Sequence, residues 1–219
     1  MLTTTAVSSI TTSSFITGGA ITFDGGSAVF ARGVCWSTTQ APTITDSSTK
    51  DGAGPSSFVS NVTGLSPGST YYVRAYATNS MGTAYGNQLS VTTLATVPTI
   101  TTTEVKPATE TTASGGGIVE SDGGNAVTAR GVCWSTNPSP TILNNRTING
   151  TGKGAFTSTL TGLNTNTTYY VRSYATNAVG IGYGEEITVV LYLNTPGPNV
   201  TDIDGNIYNS VRIGSQTWL

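Results

Sequence analysis

Cys35 and Cys133 are the strongest nucleophiles that this chain could bring to a reaction. A catalytic thiolate wants a neighbouring imidazole, and the 219 residues contain no histidine. The same absence removes the commonest general base and the commonest metal ligand. Each cysteine therefore reads as a small, buried, apolar thiol. Glu185 and Glu186 offer paired carboxylates, the inventory of glycoside hydrolysis. Successive residues of a strand point to opposite faces, however, which suits such a pair poorly. Asp202, Asp204 and Asn206 cluster oxygens as a calcium loop does, but no bidentate glutamate follows at the twelfth position. With Gly205 among them they read as a turn. The expectation is a non-enzyme without metal or cofactor.

A second set of residues suits recognition. Arg32, Trp36, Tyr72, Arg74 and Tyr76 fall in two strand-like stretches, and Arg130, Trp134, Tyr170, Arg172 and Tyr174 repeat the types further on. If the two stretches are neighbouring strands, the five side chains of each set share one outer face. Guanidinium groups over aromatic rings then form a structural ladder, each pair contributing about 0.5–1 kcal/mol when exposed. The same flat aromatics could instead receive a sugar or a peptide. Both readings stand at this stage.

Composition narrows the classes. Charged residues make up 9% of the chain, nine basic against eleven acidic, for a net charge of −2. That is well below the roughly 25% of an ordinary soluble chain. A nucleic-acid partner calls for a basic stripe, and none is present. No apolar run approaches the ~20 residues of a membrane-spanning helix. Thr and Tyr favour pleated surfaces, and the 27 glycines supply turns. The composition reads as all-β. Sequon triplets at Asn61, Asn145, Asn149, Asn166 and Asn199 are unsurprising in a Thr-rich chain and are not read as glycan sites.

The elements that position these residues repeat. Ala31-Arg32-Gly33-Val34-Cys35-Trp36-Ser37-Thr38 recurs as Ala129-Arg130-Gly131-Val132-Cys133-Trp134-Ser135-Thr136, an offset of 98 residues. Tyr71-Tyr72-Val73-Arg74 recurs at Tyr169-Tyr170-Val171-Arg172, and Phe58 at Phe156, with the same offset. The predicted division is a first module over 1–95, a second over 96–193, and a linker with an incomplete third module over 194–219. Pro98 and the Pro196-Gly197-Pro198 run mark the two joints. Met1 lacks a following charged and apolar leader, which reads as a start inside a longer array.

Within a module, strand-like runs are expected near 3–9, 15–23, 28–38, 56–63, 69–79 and 83–93, and again 98 residues later. Alternation places Tyr71, Val73, Ala75 and Ala77 on one face and Tyr72, Arg74 and Tyr76 on the other. Leu89 and Val91, with Ile187 and Val189, point inward from the last strand.

Leu65-Ser66-Pro67-Gly68-Ser69-Thr70-Tyr71-Tyr72-Val73-Arg74-Ala75 resembles the approach to the sixth strand of fibronectin type III domains. That resemblance implies two tandem fibronectin III/immunoglobulin-like β-sandwiches plus a short C-terminal extension. It also implies a tyrosine corner, with the hydroxyls of Tyr71 and Tyr169 pinning a crossing loop. Thr165 stands where Pro67 does, so a looser loop is expected in the second copy. Gly-Val-Cys-Trp-Ser-Thr, with Tyr-Ala-Thr-Asn and Gly-x-x-Tyr-Gly, is similar to fibronectin-III-like modules of Bacteroidota surface proteins. The tail from Val200 to Trp218 resembles the opening of the Fibrobacter-type major paralogous domain. Together these imply an extracellular or cell-surface module array acting as stalk, spacer, adhesion or filament component. Its expected partners are other protein modules or copies of itself. Glycans or a receptor, met by the Arg/aromatic face of a surface or phage tail protein, are the alternative. Nucleic acid and direct membrane insertion are not expected.

Overall fold

The computed structural model describes residues 1–192, 194–196, 199–208, 211–213 and 216–218. It divides into two compact units, Met1–Thr96 and Val97–Leu219. Among the described residues every regular element is a strand.

In the first unit, β1 (Leu2–Ser8), β2 (Ser14–Ile21) and β5 (Phe58–Thr63) form one antiparallel sheet in the order β1-β2-β5. The other sheet runs β4-β3-β6-β7, from β3 (Ala31–Ser37), β4 (Ser47–Ser48), β6 (Thr70–Asn79) and β7 (Gly82–Tyr85). β8 (Leu89–Thr92) also pairs with β6. The core between the sheets holds Phe15, Val34, Val62, Leu65, Val73 and Val91. Strict alternation builds it: in β5 the side chains of Phe58, Ser60 and Val62 are buried and those between them exposed.

The second unit repeats this plan. β9 (Thr99–Pro107), β10 (Ala113–Ser121) and β13 (Gly154–Leu160) form one sheet. β11 (Ala129–Ser135), β12 (Asn145–Arg146), β14 (Thr168–Thr176), β15 (Ile181–Tyr183) and β16 (Ile187–Val190) form the other. Val132, Trp134, Leu160, Leu163, Val171 and Leu191 fill its centre. Five short strands follow: β17 (Asn194–Pro196), β18 (Val200–Thr201), β19 (Ile207–Tyr208), β20 (Val211–Ile213) and β21 (Gln216–Trp218). They make two small antiparallel sheets, β17-β20-β21 and β18-β19.

The run expected as one strand over 83–93 is two. β7 pairs with the end of β6 and β8 with its start, so the chain steps over at Gly86-Asn87-Gln88. Thr4 of β1 fills the step. Its hydroxyl accepts from Ala75 N–H at 2.9 Å and donates to Asn87 O, while Thr4 N–H donates to Asn87 Oδ1. The approach is close enough that a Cβ on Gly86 would lie 2.7 Å from Thr4 Oγ1. Gly184 faces Thr102 in the same way. The glycine of the Tyr-Gly motif thus admits the edge strand of the opposite sheet.

Candidate functional site

Register decides what the Arg/aromatic residues can do together. β3 and β6 pair with Gly33 opposite Tyr76, Cys35 opposite Arg74 and Ser37 opposite Tyr72. Directly opposed residues share a face. Tyr72, Arg74 and Tyr76 therefore lie on the outer face with Cys35. Arg32 and Trp36 share the other parity with Val34, which is in the core. The five residues expected on one outer face are split across two. Arg130 and Trp134 likewise lie with Val132, and Tyr170, Arg172 and Tyr174 with Cys133. Val34 and Val132 carried the signal in the sequence: an apolar residue between two members of the set marks their shared face as the inner one.

On the inner side each arginine closes the edge of the sandwich. The Arg32 guanidinium lies 5.4 Å from the Phe58 ring centroid, and that of Arg130 lies 5.3 Å from Phe156. Arg32 Nη1 donates to Gly54 O (2.9 Å), Ser56 O (3.1 Å) and Ser56 Oγ (2.7 Å). Arg130 Nη1 donates to the carbonyls of Gly152, Lys153 and Gly154 at 3.2, 2.9 and 3.1 Å. These guanidinium groups staple the loop that follows β4 or β12. Trp36 packs half-buried against the core, and Trp134 is 5% exposed.

On the outer side Arg74 stacks over Tyr85 at 4.6 Å and donates to Gly86 O at 3.2 Å. Arg172 does the same with Tyr183 at 4.7 Å and Gly184 O at 3.0 Å. Tyr85 and Tyr183 were missing from the expected set, although both sit in the Gly-x-x-Tyr-Gly motif. The loop between β3 and β4 lies over this face. Ile44 N–H donates to Tyr85 Oη (3.1 Å), and Ala41 N–H donates to Gln88 Oε1. In the second unit Ile142 N–H donates to Tyr183 Oη (3.1 Å), and Ser139 N–H donates to the Glu186 carboxylate. Tyr76 and Tyr174 are buried, each hydroxyl donating 2.6 Å to a threonine carbonyl, Thr49 O and Thr147 O. Burial raises both phenol pKa values above the ordinary one. A loop thus roofs the ladder at Tyr85 and Tyr183, while Tyr72 and Tyr170 stay partly exposed.

Beneath the roof sit the thiols. Cys35 and Cys133 are free and fully buried. Cys35 Sγ lies 3.4 Å from Pro42 O, and Cys133 Sγ lies 3.6 Å from Pro140 O. Burial pushes each thiol up to about 11, against a smaller opposing pull from Arg74 or Arg172. They remain protonated near neutral pH and make poor nucleophiles.

The Asp202 cluster is a closed turn. Asp202 Oδ1 accepts from the N–H groups of Asp204 (3.0 Å) and Asn206 (2.9 Å). Oδ2 accepts from Asn206 Nδ2 (2.9 Å) and Tyr208 Oη (3.0 Å). The Asn206 bonds above all hold the Asp202 carboxyl below its usual range. Among the described residues no group of three or more His, Cys, Asp or Glu could hold a metal ion.

The tyrosine corner is present twice. Ser66 N–H donates to Tyr71 Oη and Asn164 N–H donates to Tyr169 Oη, both at 3.0 Å. The second loop is the looser one, as expected. Asn166 N–H donates to Leu191 O at 2.7 Å and Gly68 N–H to Leu94 O at 3.1 Å. The first loop is tied further by Thr93 Oγ1, which accepts from Ser69 N–H (3.0 Å) and donates to Ser66 O (2.7 Å), and Leu191 stands at the place of Thr93.

No family model matches the chain, and no curated protein sequence matches it. Among solved structures, the crystal structure of chicken CNTN1 FN1-FN3 domains is similar, with a TM-score of 0.51 and 14% identity. The likeness covers 96% of this chain and 73% of that one. The fold is a tandem of fibronectin type III-like sandwiches. At this identity the resemblance is one of architecture, and it carries no ligand or partner across. The fibronectin III-like scaffold turns the repeated arginines and Trp36 and Trp134 inward or beneath a loop.

Proposed function

We propose that this chain is a non-enzymatic structural or adhesion array, displayed outside the cell or on its surface as a stalk, spacer or filament component. One observation carries the reading. Both fibronectin III-like units commit the same arginines, tyrosines and thiols to internal staples, stacks and buried contacts. The Gly-Val-Cys-Trp-Ser-Thr resemblance to Bacteroidota surface modules supports the location. Other protein modules, or copies of this chain, are the proposed partners. The sheet edges at β1 and β5 supply backbone groups for strand addition.

The test is display. Mild protease treatment of intact producing cells should release peptides of this chain while cytoplasmic proteins stay whole. Recovery of the chain only after lysis would overturn the surface reading. Turnover of a polysaccharide by the purified chain would overturn the non-enzymatic one.

A further inference from the structure

The second unit has a feature that the staples and stacks leave unused. Trp134 Nε1 is buried, and among the described residues no group accepts a hydrogen bond from it. Trp134 itself is 5% exposed. An indole N–H can only donate, and a buried donor ordinarily finds an oxygen. Trp134 also forms part of the wall of an open cleft of about 490 Å³. Ser135, Thr136, Asn144, Asn145 and Asn164 supply its polar lining, and Leu143, 90% exposed, supplies an apolar surface. None of the lining residues carries a charge.

We propose that this cleft binds a neutral, polyhydroxylated ligand, a segment of uncharged glycan. Three asparagines line the cleft; Asn144 Oδ1 already accepts from Thr141 N–H at 2.8 Å, and the amides of Asn145 and Asn164 offer donors and acceptors to hydroxyls. The absence of ionised lining gives an acidic sugar nothing to pair with. The volume falls within the range of small-ligand clefts. Trp134, in the wall of the cleft, is placed to report its occupancy.

The first unit argues for specificity. Ninety-eight residues earlier, Asn144, Asn145 and Asn164 correspond to Asp46, Ser47 and Ser66, and Leu143 to Thr45. Trp36, the counterpart of Trp134, is half-buried. The amide set thus belongs to the second unit, and the first provides an internal control.

The experiment follows the indole N–H signals of the full ¹⁵N-labelled chain by NMR, with Trp134→Phe used for assignment. The probes are cellohexaose, xylohexaose and mannohexaose, with an oligogalacturonide as the acidic comparison. The expected result is a saturable shift of the Trp134 signal with at least one neutral probe while the Trp36 signal stays in place. Asn164→Ala should weaken that binding about tenfold and leave the melting temperature unchanged, since the corner bond uses the backbone N–H of residue 164. A Trp134 signal unmoved by all three neutral probes at millimolar concentration overturns the proposal. So does stronger binding of the acidic probe, or an equal response from Trp36. Any of these leaves the surface-array reading intact, because that rests on display and not on this cleft.

Discussion

The two units share a plan and differ at positions where one would expect identity, and the differences separate shape from chemistry. Asp51 accepts hydroxyl hydrogen bonds from Thr49 and Ser60, and in the second unit Asn149 Oδ1 accepts them from Thr147 and Ser158. Gln88 caps the roof loop where Glu186 does so in the other unit. At both places the scaffold requires an acceptor oxygen and is indifferent to its charge. Backbone approach is less forgiving. Ala84 in the first unit is replaced by Gly182 in the second, where a Cβ would sit 1.9 Å from Pro98 O. The segment entering the second unit therefore lies where an alanine side chain would be.

That contrast predicts the largest effect. Gly182→Ala should destabilise the second unit by about 2–3 kcal/mol, the range of overpacking against atoms that cannot yield. Ala84→Gly should cost the first unit at most ~1 kcal/mol, as glycine in a strand does. Hydrogen exchange read by mass spectrometry assigns each loss to its unit, and equal losses would erase the contrast.

Alkaline pH should act on both units together. The folded thiol pKa of about 11 lies above the ordinary 9.0, so folding favours the protonated form. That contribution is fully present below about pH 9 and is lost as pH rises towards 11. The raised pKa values of Tyr76 and Tyr174 act in the same direction. Melting temperatures measured from pH 8 to pH 11 check this. Cys35→Ala with Cys133→Ala should flatten the decline.

Tyr71→Phe and Tyr169→Phe should each cost about 1 kcal/mol, one hydrogen bond, with no difference between units. A markedly smaller loss for Tyr169→Phe in urea unfolding would extend the looser second loop to the corner itself. Smallest of all, Glu186→Gln should change stability by less than about 0.5 kcal/mol. Gln88→Leu, which removes the acceptor, should cost about 1 kcal/mol and expose the 38–46 loop to exchange.

Much of the fold is legible in the chain itself. The offset of 98 residues announces two copies, and the alternation over 71–77 separates core from outer side chains correctly. The tyrosine corner could be read from Leu65 and Tyr71. The step at Gly86-Asn87-Gln88 was hidden, because Thr83, Tyr85, Leu89 and Val91 keep one parity across it and its cause lies in Thr4 on another sheet. The candidate face mixes two parities: alternation puts Arg32, Val34 and Trp36 on one side of their strand and Cys35 on the other, and the pairing with β6 sets Arg32 and Trp36 beside Ala77 and Val73 on the inner side.

Sequence alone determined the all-β class, the duplication and the division of core from outer side chains over 71–77, since these depend on composition, period and local alternation. Only the tertiary structure decided which loop Arg32 staples and that another loop covers Arg74 and buries Cys35. It alone brought Trp134 into the wall of an amide-lined cleft. Those outcomes depend on pairings between residues as far as 47 positions apart, and local pattern carries no register across such a distance.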